Sequence, residues 1–226
     1  MTKIDLVADL GESFGAWSMG EDEAVLELLT SANVACGFHA GDPQTMDQTV
    51  ARCVARGVSV GAHPSFPDLV GFGRRQMDLT ADEVRTDVLY QMGALAAFTA
   101  AHGTSLTHLA PHGRLGNLVA TRPDYATAVV DAVLAVDPQL IILAQDGCLA
   151  DEANLQHRAS VLMLFDPVVP RPVPVPASPL RGVPCGGRSP ARIPARSAGR
   201  PRMEALVASR RALVHGDIVQ GDRQRR

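Results

Sequence analysis

The sequence predicts an α/β fold with a parallel sheet. Strand and helix patterns alternate five times between residues 3 and 147, and each apolar strand pattern ends in glycine and polar residues. Strands that are separated by crossover helices pair in parallel. With 226 residues, of which 46% are hydrophobic, the chain is long enough for one domain of barrel size.

The predicted strands are short apolar or alternating runs that stop at a glycine or a polar group. They cover residues 3–10, 33–38, 58–63, 105–113 and 139–147.

The predicted helices show apolar residues at helical spacing and recognisable start signals. They cover residues 21–32, 43–57, 80–103 and 123–136. Acidic residues open the first helix, and Asp42 followed by Pro43 is a favourable start for the second. Thr80 and Glu83 form a capping box at the third, and Pro123 lies near the start of the fourth.

Polar side chains follow successive strands where the strands end. In a parallel barrel these ends form one rim, where active sites assemble. The candidate catalytic residues on this rim are Asp9, Glu12, His39, Asp42, His63 and His112. Hydrogen bonding within the loops is the simpler explanation for a single histidine, but three histidines at three successive strand ends favour a functional role.

Two kinds of chemistry fit this set of residues. Asp9, His39 and His63 are the candidate ligands of a divalent metal, because one aspartate and two histidines form a common donor set. The same groups can instead transfer protons without a metal. No spaced motif decides between these alternatives. His102, His108 and His157 lack comparable neighbours and are interpreted as structural.

Three further residues are candidates for substrate binding. Arg74 and Arg75 follow a glycine-flanked aromatic residue, and a guanidinium group can bind a carboxylate or phosphate with two hydrogen bonds. A solvated loop is the alternative interpretation of this segment. Asn117 follows the fourth strand and completes the set.

Several classes of protein do not fit the sequence. No apolar stretch reaches the roughly 18 residues that a membrane helix needs. Acidic residues occupy the N-terminal segment where a signal peptide would be apolar. Cysteines at 36, 53, 148 and 185 have no metal-binding or redox spacing, so reduced thiols are expected. We therefore expect a cytoplasmic protein with a small-molecule substrate and with neither a membrane nor a nucleic-acid partner.

The composition changes sharply towards the C-terminus. Residues 1–165 carry a net charge of −11, whereas residues 166–226 carry +8 and hold 10 of the 16 prolines. We expect a β/α-barrel domain over 1–165 and an irregular Pro/Arg-rich segment over 166–211. A reading-frame shift would explain that segment, and a natural disordered tail is the alternative. Residues 212–226 contain a possible remnant of a last strand, followed by a tail.

Five segments of the chain resemble one known family. They read IDLVADLGESFG, SANVACGFHAGDP, GVSVGAHPSFPDLVGFGRR, LYQMGAL and PHGRLGN. They are similar to the LamB/YcsF family, the A subunits of the bacterial ATP-dependent 5-oxoprolinase. The resemblance implies a distorted seven-stranded β/α barrel of the glycoside hydrolase/deacetylase type, whose C-terminal part is incomplete here. It also implies cleavage of 5-oxo-L-proline to L-glutamate with ATP and Mg²⁺, and partner B and C subunits.

The chain departs from the family pattern at three positions. Val7, Ala110 and Gly116 stand where the family usually shows Asn, Lys and Tyr. Loss of the lysine removes a cation from the predicted rim. Two alternatives to a 5-oxoprolinase subunit therefore stay open: a metal-dependent, deacetylase-like hydrolase of a carbohydrate or amide, and a binding subunit without catalytic activity.

Overall fold

The computed structural model describes residues 5–156 and 160–162 and contains a parallel sheet with helices between its strands. The predicted segments 166–211 and 212–226 lie outside the described residues. The strands are β1 (Val7–Leu10), β2 (Ser31–Ala35), β3 (Ser59–His63), β4 (Leu106–Leu109), β5 (Ile141–Ala144) and β6 (Ser160–Leu162). The helices are α1 (Asp22–Leu26), α2 (Pro43–Arg56), α3 (Ala81–Ala101), α4 (Gly113–Val119), α5 (Pro123–Val136) and α6 (Cys148–Gln156).

The strands are arranged in the sheet in the order in which they occur along the chain. Each strand pairs in parallel with the next, from β1 to β6. This confirms the predicted α/β fold with a parallel sheet. Six strands occur within the described ranges, and no pairing there closes β6 onto β1, so the seven-stranded barrel stays a prediction.

Local start and stop signals set the ends of the two longest predicted helices. The Asp42 side chain accepts hydrogen bonds from the backbone N–H groups of Gln44 and Thr45 at the start of α2. Gly57 ends α2 in a left-handed conformation. Thr80 and Glu83 form the predicted reciprocal capping box at the start of α3.

The first predicted helix is much shorter than its sequence pattern indicated. We predicted a helix over 21–32, but α1 ends at Leu26 and β2 already begins at Ser31. The backbone N–H groups of Thr30 and Ser31 donate to the carbonyl oxygen of Leu6 at 3.0 and 3.2 Å. Pairing with the chain at the start of β1 therefore overrides the helical spacing of this segment.

Three elements were not predicted from the sequence. Helices α4 and α6 and strand β6 lie in stretches where the sequence pattern predicts neither a helix nor a strand. Helix α4 has only seven residues and begins immediately after His112. A helix of two turns offers too few apolar repeats for periodicity to reveal it.

The hydrophobic core lies between the sheet and the long helices. Val84, Val88, Met92 and Leu95 form the predicted apolar face of α3, and all four are buried. Helix α5 packs beside α3, and its Tyr125 hydroxyl donates to the carbonyl oxygen of Leu79 at 2.6 Å. Each fully buried aliphatic side chain contributes about 1.5–3 kcal/mol to stability. This packing holds the strand ends in fixed positions.

Candidate functional site

Four predicted site residues meet at the carboxyl ends of β1 to β4. Glu12, His39, His63 and His112, which we call the histidine cluster, offer ligand atoms that all lie within 4.8 Å of one another. The three histidines are buried, and 18% of the Glu12 side chain is exposed. A metal ion can therefore be held here. Of the three predicted ligands, His39 and His63 belong to the cluster and Asp9 does not, and Glu12 and His112 complete it instead.

Two backbone carbonyls determine which ring nitrogens of the cluster carry hydrogen. Nδ1 of His63 donates to the carbonyl oxygen of Ala110 at 2.6 Å, and Nε2 of His112 donates to that of Phe72 at 2.9 Å. The remaining nitrogens, Nε2 of His63 and Nδ1 of His112, lie 3.0 Å apart. In two neutral rings both of these atoms would be lone-pair acceptors. A cation, either a proton or a metal ion, is therefore needed between them.

Asp9 favours a positive charge at this point. Its Oδ1 lies 3.3 Å from Nε2 of His63. Although 46% of the Asp9 side chain is exposed, partial desolvation disfavours its ionisation. Attraction to His63 and hydrogen bonds from His63 and Asn33 outweigh this effect and hold the pKa of Asp9 well below its usual range. Burial also opposes protonation of His63, but the charge of Asp9 raises the pKa of that ring. Without a metal, His63 is the ring that carries the proton.

Glu12 and His39 lie side by side, and three of their polar atoms have no hydrogen-bond partner among the described residues. Nε2 of His39 lies 3.4 Å from Oε1 of Glu12, and the His39 ring stacks on His112 at 3.8 Å between centroids. Both His39 nitrogens and Glu12 Oε1 are buried without a hydrogen-bond partner. Burial lowers the pKa of His39 to about 2, and burial followed by repulsion from Asp9 raises the pKa of Glu12 to about 7. Such orphaned polar atoms cost stability and mark a place for a ligand.

The loop of residues 68–75 packs against the histidine cluster. Phe72 adopts a left-handed backbone conformation with φ of 55°, and its ring contacts both His39 and His112 edge-on. A side chain at Gly73 would place its Cβ 3.0 Å from atoms of His39, His112 and Ser65. The glycine-flanked aromatic segment that the sequence singled out therefore orients His112 through the Phe72 carbonyl.

Comparison with known proteins identifies the family of this chain. The LamB/YcsF family matches residues 4–165. This chain belongs to the LamB/YcsF family.

Its relatives include proteins named as the A subunit of 5-oxoprolinase. The protein of Methylococcus capsulatus is 58% identical over 144 residues, which are 64% of this chain and 55% of the relative. That of Azoarcus sp. (strain BH72) is 56% identical over 64% of this chain and 56% of its own length. That of Bacillus thuringiensis subsp. konkukian is 53% identical over 69% of this chain and 60% of its own length. This chain thus spans less than two thirds of these relatives.

A solved structure supports the same relationship. The lactam utilization protein from Thermus thermophilus matches with a TM-score of 0.70 and 48% sequence identity. The match covers 71% of this LamB/YcsF chain and 66% of the Thermus chain. The described residues contain no helix that is long and apolar enough to cross a membrane.

Three other predicted site residues of this LamB/YcsF chain bond to groups outside the cluster or lie apart from it. Asp42 accepts from the backbone of Gly15 at 2.7 Å as well as from its own helix, which lowers its pKa. The guanidinium of Arg75 is paired with buried Asp68. Asn117 is exposed on α4, and none of the described hydrogen bonds joins it to the cluster.

Arg74 differs from Arg75 in its surroundings. Its guanidinium carbon lies 5.3 Å from the centre of the Phe72 ring, and the residue is exposed. Its charge lowers the pKa values of Glu12, His39 and His112 to a small extent. Arg74 is therefore the arginine of this loop whose charge affects the pKa values of the cluster and whose side chain is exposed to solvent.

Sequence reasoning missed two buried polar residues beside Asp9. Asn33 on β2 donates to Asp9, and His108 on β4 contacts Asn33. The sequence predicts only a structural role for His108. The available signal was a polar residue inside each of two otherwise apolar strand patterns, a position that a buried parallel strand normally fills with an aliphatic residue.

Proposed function

We propose that this chain takes part in the ATP-dependent cleavage of 5-oxo-L-proline to L-glutamate, as the A subunit of a 5-oxoprolinase. The names of its relatives support a role in 5-oxoproline and lactam metabolism. The observation that carries a catalytic role is the buried group of Glu12, His39, His63 and His112 with its orphaned polar atoms. The strands of the parallel sheet follow their order in the sequence, as the strands of a β/α barrel do. We therefore also propose that the chain adopts the family's seven-stranded barrel.

The chemistry begins from an unreactive amide. Water must add its oxygen to the lactam carbonyl carbon, the C–N bond must break, and the ring nitrogen must gain a proton. Phosphorylation of the carbonyl oxygen by ATP makes that carbon electrophilic and turns the oxygen into part of a leaving group. The phosphorylation releases ADP. Addition of the first water and cleavage of the C–N bond leave an acyl phosphate, and a second water displaces phosphate from it to give glutamate.

Residues of the cluster suit the proton transfers in this reaction. Glu12, with its pKa raised to about 7, is partly ionised near neutral pH and can accept a proton from water. The His63 ring, charged beside Asp9, can donate a proton to the leaving nitrogen or stabilise negative charge on oxygen. The environment also drives the pKa values of the two carboxyl groups apart, since that of Asp9 is lowered and that of Glu12 is raised, which is typical of an acid–base site.

We propose that the B and C subunits are needed for ATP to act. The sequence contains no phosphate-binding loop of the GxxxxGK[ST] type. Arg75 is paired with Asp68, so of the two arginines in the loop only Arg74 is available for an anion. Mg²⁺ enters with ATP as part of the substrate.

A second candidate function is that of a metal-dependent hydrolase of an amide. The buried nitrogens of His39 and Oε1 of Glu12 have no partner, and His63 and His112 turn lone pairs towards each other. Imidazole and carboxylate groups in this combination fit Zn²⁺ or a similar ion. A bound ion would polarise a carbonyl group and neutralise charge on its oxygen. Glu12, His39, His63 and His112 would hold it, with Asp9 beside His63.

Reconstitution with the partner subunits tests these proposals. The chain should release glutamate from 5-oxoproline only together with B and C subunits and ATP, and the isolated chain should release little. ATP-dependent glutamate formation by the isolated chain would contradict the role of the partners. Hydrolysis of amides without ATP, lost on chelation, would favour the second candidate. Full activity of complexes with His63→Ala and His39→Ala would identify a non-catalytic binding subunit.

A further inference from the structure

Four residues form a row across four neighbouring strands. Asp9 on β1 is in register with Asn33 on β2, and Asn33 with Gly61 on β3. Gly61 is in turn paired with His108 on β4, next to a shift of register between Val60 and Gly61. In parallel strands, residues in register have their side chains on the same face of the sheet. The row therefore places a carboxylate, an amide and an imidazole side by side, with a gap at the glycine.

Asn33 joins the two ends of this row by directional hydrogen bonds. Its Nδ2 donates to Oδ1 of Asp9 at 2.9 Å, and its Oδ1 lies 2.9 Å from Nε2 of His108. Because the amide oxygen can only accept, Nε2 of His108 must carry the hydrogen. Nδ1 of His108 lies 2.9 Å from the hydroxyl of Thr107, which also bonds to the carbonyl oxygen of Val60 at 3.1 Å. The amide nitrogen and the amide oxygen of Asn33 thus each have a defined partner in the row.

Gly61 makes the contact between Asn33 and His108 possible. A Cβ atom at this position would lie 2.1 Å from Nε2 of His108 and 2.2 Å from its Cδ2. The His108 ring thus occupies the volume that any other residue would use for its side chain. The absence of a side chain on β3 lets a group from β4 reach a partner on β2.

We propose that Asn33 and His108 are positioning residues that hold the carboxylate of Asp9 towards His63. The same Asp9 Oδ1 that accepts from Asn33 faces Nε2 of His63 at 3.3 Å. An amide side chain can rotate by half a turn and exchange its oxygen for its nitrogen. The N–H of His108 prevents this exchange, because after rotation two donors would meet at His108 and two acceptors at Asp9. As far as it concerns turnover, the inference rests on the proposed function.

The proposal predicts a specific pattern among variants of His108. Glutamine retains an N–H donor for Asn33, whereas leucine fills similar space without one. In the reconstituted complex, His108→Leu should lower kcat by about tenfold to a hundredfold with little change in KM, because Asp9 is misdirected and not lost. His108→Gln should recover a large part of kcat. Asn33→Ala should resemble His108→Leu.

Gly61→Ala tests the gap in the row independently. It should lower kcat as His108→Leu does, by displacing the imidazole. Gly93→Ala is the matched control, because Gly93 lies inside α3 and a Cβ there meets nothing within 4 Å. If Gly61→Ala does not fold, the comparison of His108→Gln with His108→Leu still decides the question.

Two measurements on the full chain do not depend on turnover. Nitrogen-15 NMR at neutral pH should show His108 as the Nε2–H tautomer, and Asn33→Ala should remove that preference. In urea unfolding, the losses of stability from Asp9→Ala and His108→Leu should be non-additive, because both side chains form a hydrogen bond with Asn33.

The outcomes separate this inference from the proposed function. An Nδ1–H tautomer, additive losses, or equal kcat values for His108→Gln and His108→Leu would overturn the positioning role. A wild-type complex that forms no glutamate would instead overturn the proposed function, and the tautomer and the stability cycle would still support or refute the row.

Discussion

Nε2 of His63 lies 3.0 Å from Nδ1 of His112, although the other nitrogen of each ring already donates to a backbone carbonyl. The carbonyls of Ala110 and Phe72 thereby leave two acceptors facing each other. Because these two lone pairs face each other, the histidine cluster binds a positive charge. In the metal-free chain a proton lies between the two nitrogens, and a divalent metal ion would compete with that proton for the same lone pairs.

Binding of Zn²⁺ should therefore require the cluster. We expect the metal-stripped chain to bind Zn²⁺ and to melt at a higher temperature when saturated, because a ligand that binds only the folded state stabilises it. His39→Ala and His112→Ala should each weaken binding at least tenfold in calorimetric titrations. His102→Gln is a suitable control, since His102 pairs with Asp47 away from the cluster. Equal affinity of all three variants and the parent chain would contradict this prediction.

Substitutions of the groups around His63 should lower turnover without unfolding the chain. Asp9→Asn, His39→Ala and His63→Ala are each expected to reduce glutamate formation about a hundredfold or more in the reconstituted complex. These residues lie at strand ends and not inside the apolar core. Melting curves of the variants provide the check on folding. Turnover close to that of the parent chain would show that these side chains have a structural role only.

The stability of the metal-free chain should depend on pH through Glu12. The folded chain raises the pKa of Glu12 from 4.5 to about 7, so between these pH values it retains a proton that the unfolded chain releases. Stability from this group is therefore lost as the pH rises through this interval. Glu12→Gln should remove the loss, which is on the order of 2 kcal/mol, and so should stabilise the chain more at pH 8 than at pH 5.

Urea unfolding at both pH values, with a chelator present, measures this difference. Glu83→Gln serves as the matched control, because Glu83 is an exposed capping residue whose pKa is lowered. A Glu12→Gln effect that is the same at pH 5 and pH 8 would show that Glu12 does not retain its proton in the folded chain.

Gly73→Ala should be more destabilising than Gly57→Ala. Both glycines have positive φ, 64° and 67°, so alanine at either position is strained. A Cβ at Gly57 meets nothing within 4 Å, whereas at Gly73 it lies 3.0 Å from His39, His112 and Ser65. We expect about 1 kcal/mol for Gly57→Ala and at least about 1 kcal/mol more for Gly73→Ala. Equal losses in urea unfolding would show that the loop of residues 68–75 yields easily.

Features that depend on a few neighbouring residues were predictable from the sequence. The Asp42 start of α2, its Gly57 end and the Thr80–Glu83 box of α3 were all confirmed, because each is set by bonds within one turn of helix. The end of α1 was predicted wrongly, because it is set by bonds from Thr30 and Ser31 to the distant Leu6. Helical periodicity carries no information about such pairing.

The candidate site was predictable only in part for a similar reason. Position at a strand end identified His39, His63 and His112, which the structure brings together with Glu12. Position alone gave no way to tell that Arg75 is paired with Asp68, or that His108 crosses a glycine to reach Asn33. The first relationship depends on how the loop of residues 68–75 folds back on itself. The second depends on strand register, which is fixed by packing of the whole sheet.

The order of the strands has a consequence for how the chain is made. Each strand pairs with its predecessor in the sequence, and Asp9, Glu12, His39, His63 and His112 all belong to the first 112 residues. Strand pairs can therefore form one after another as the polypeptide leaves the ribosome, without waiting for a distant partner. The groups that face one another in the cluster all come from one continuous stretch of the sequence, residues 9–112, and can be gathered before the strands that follow are made.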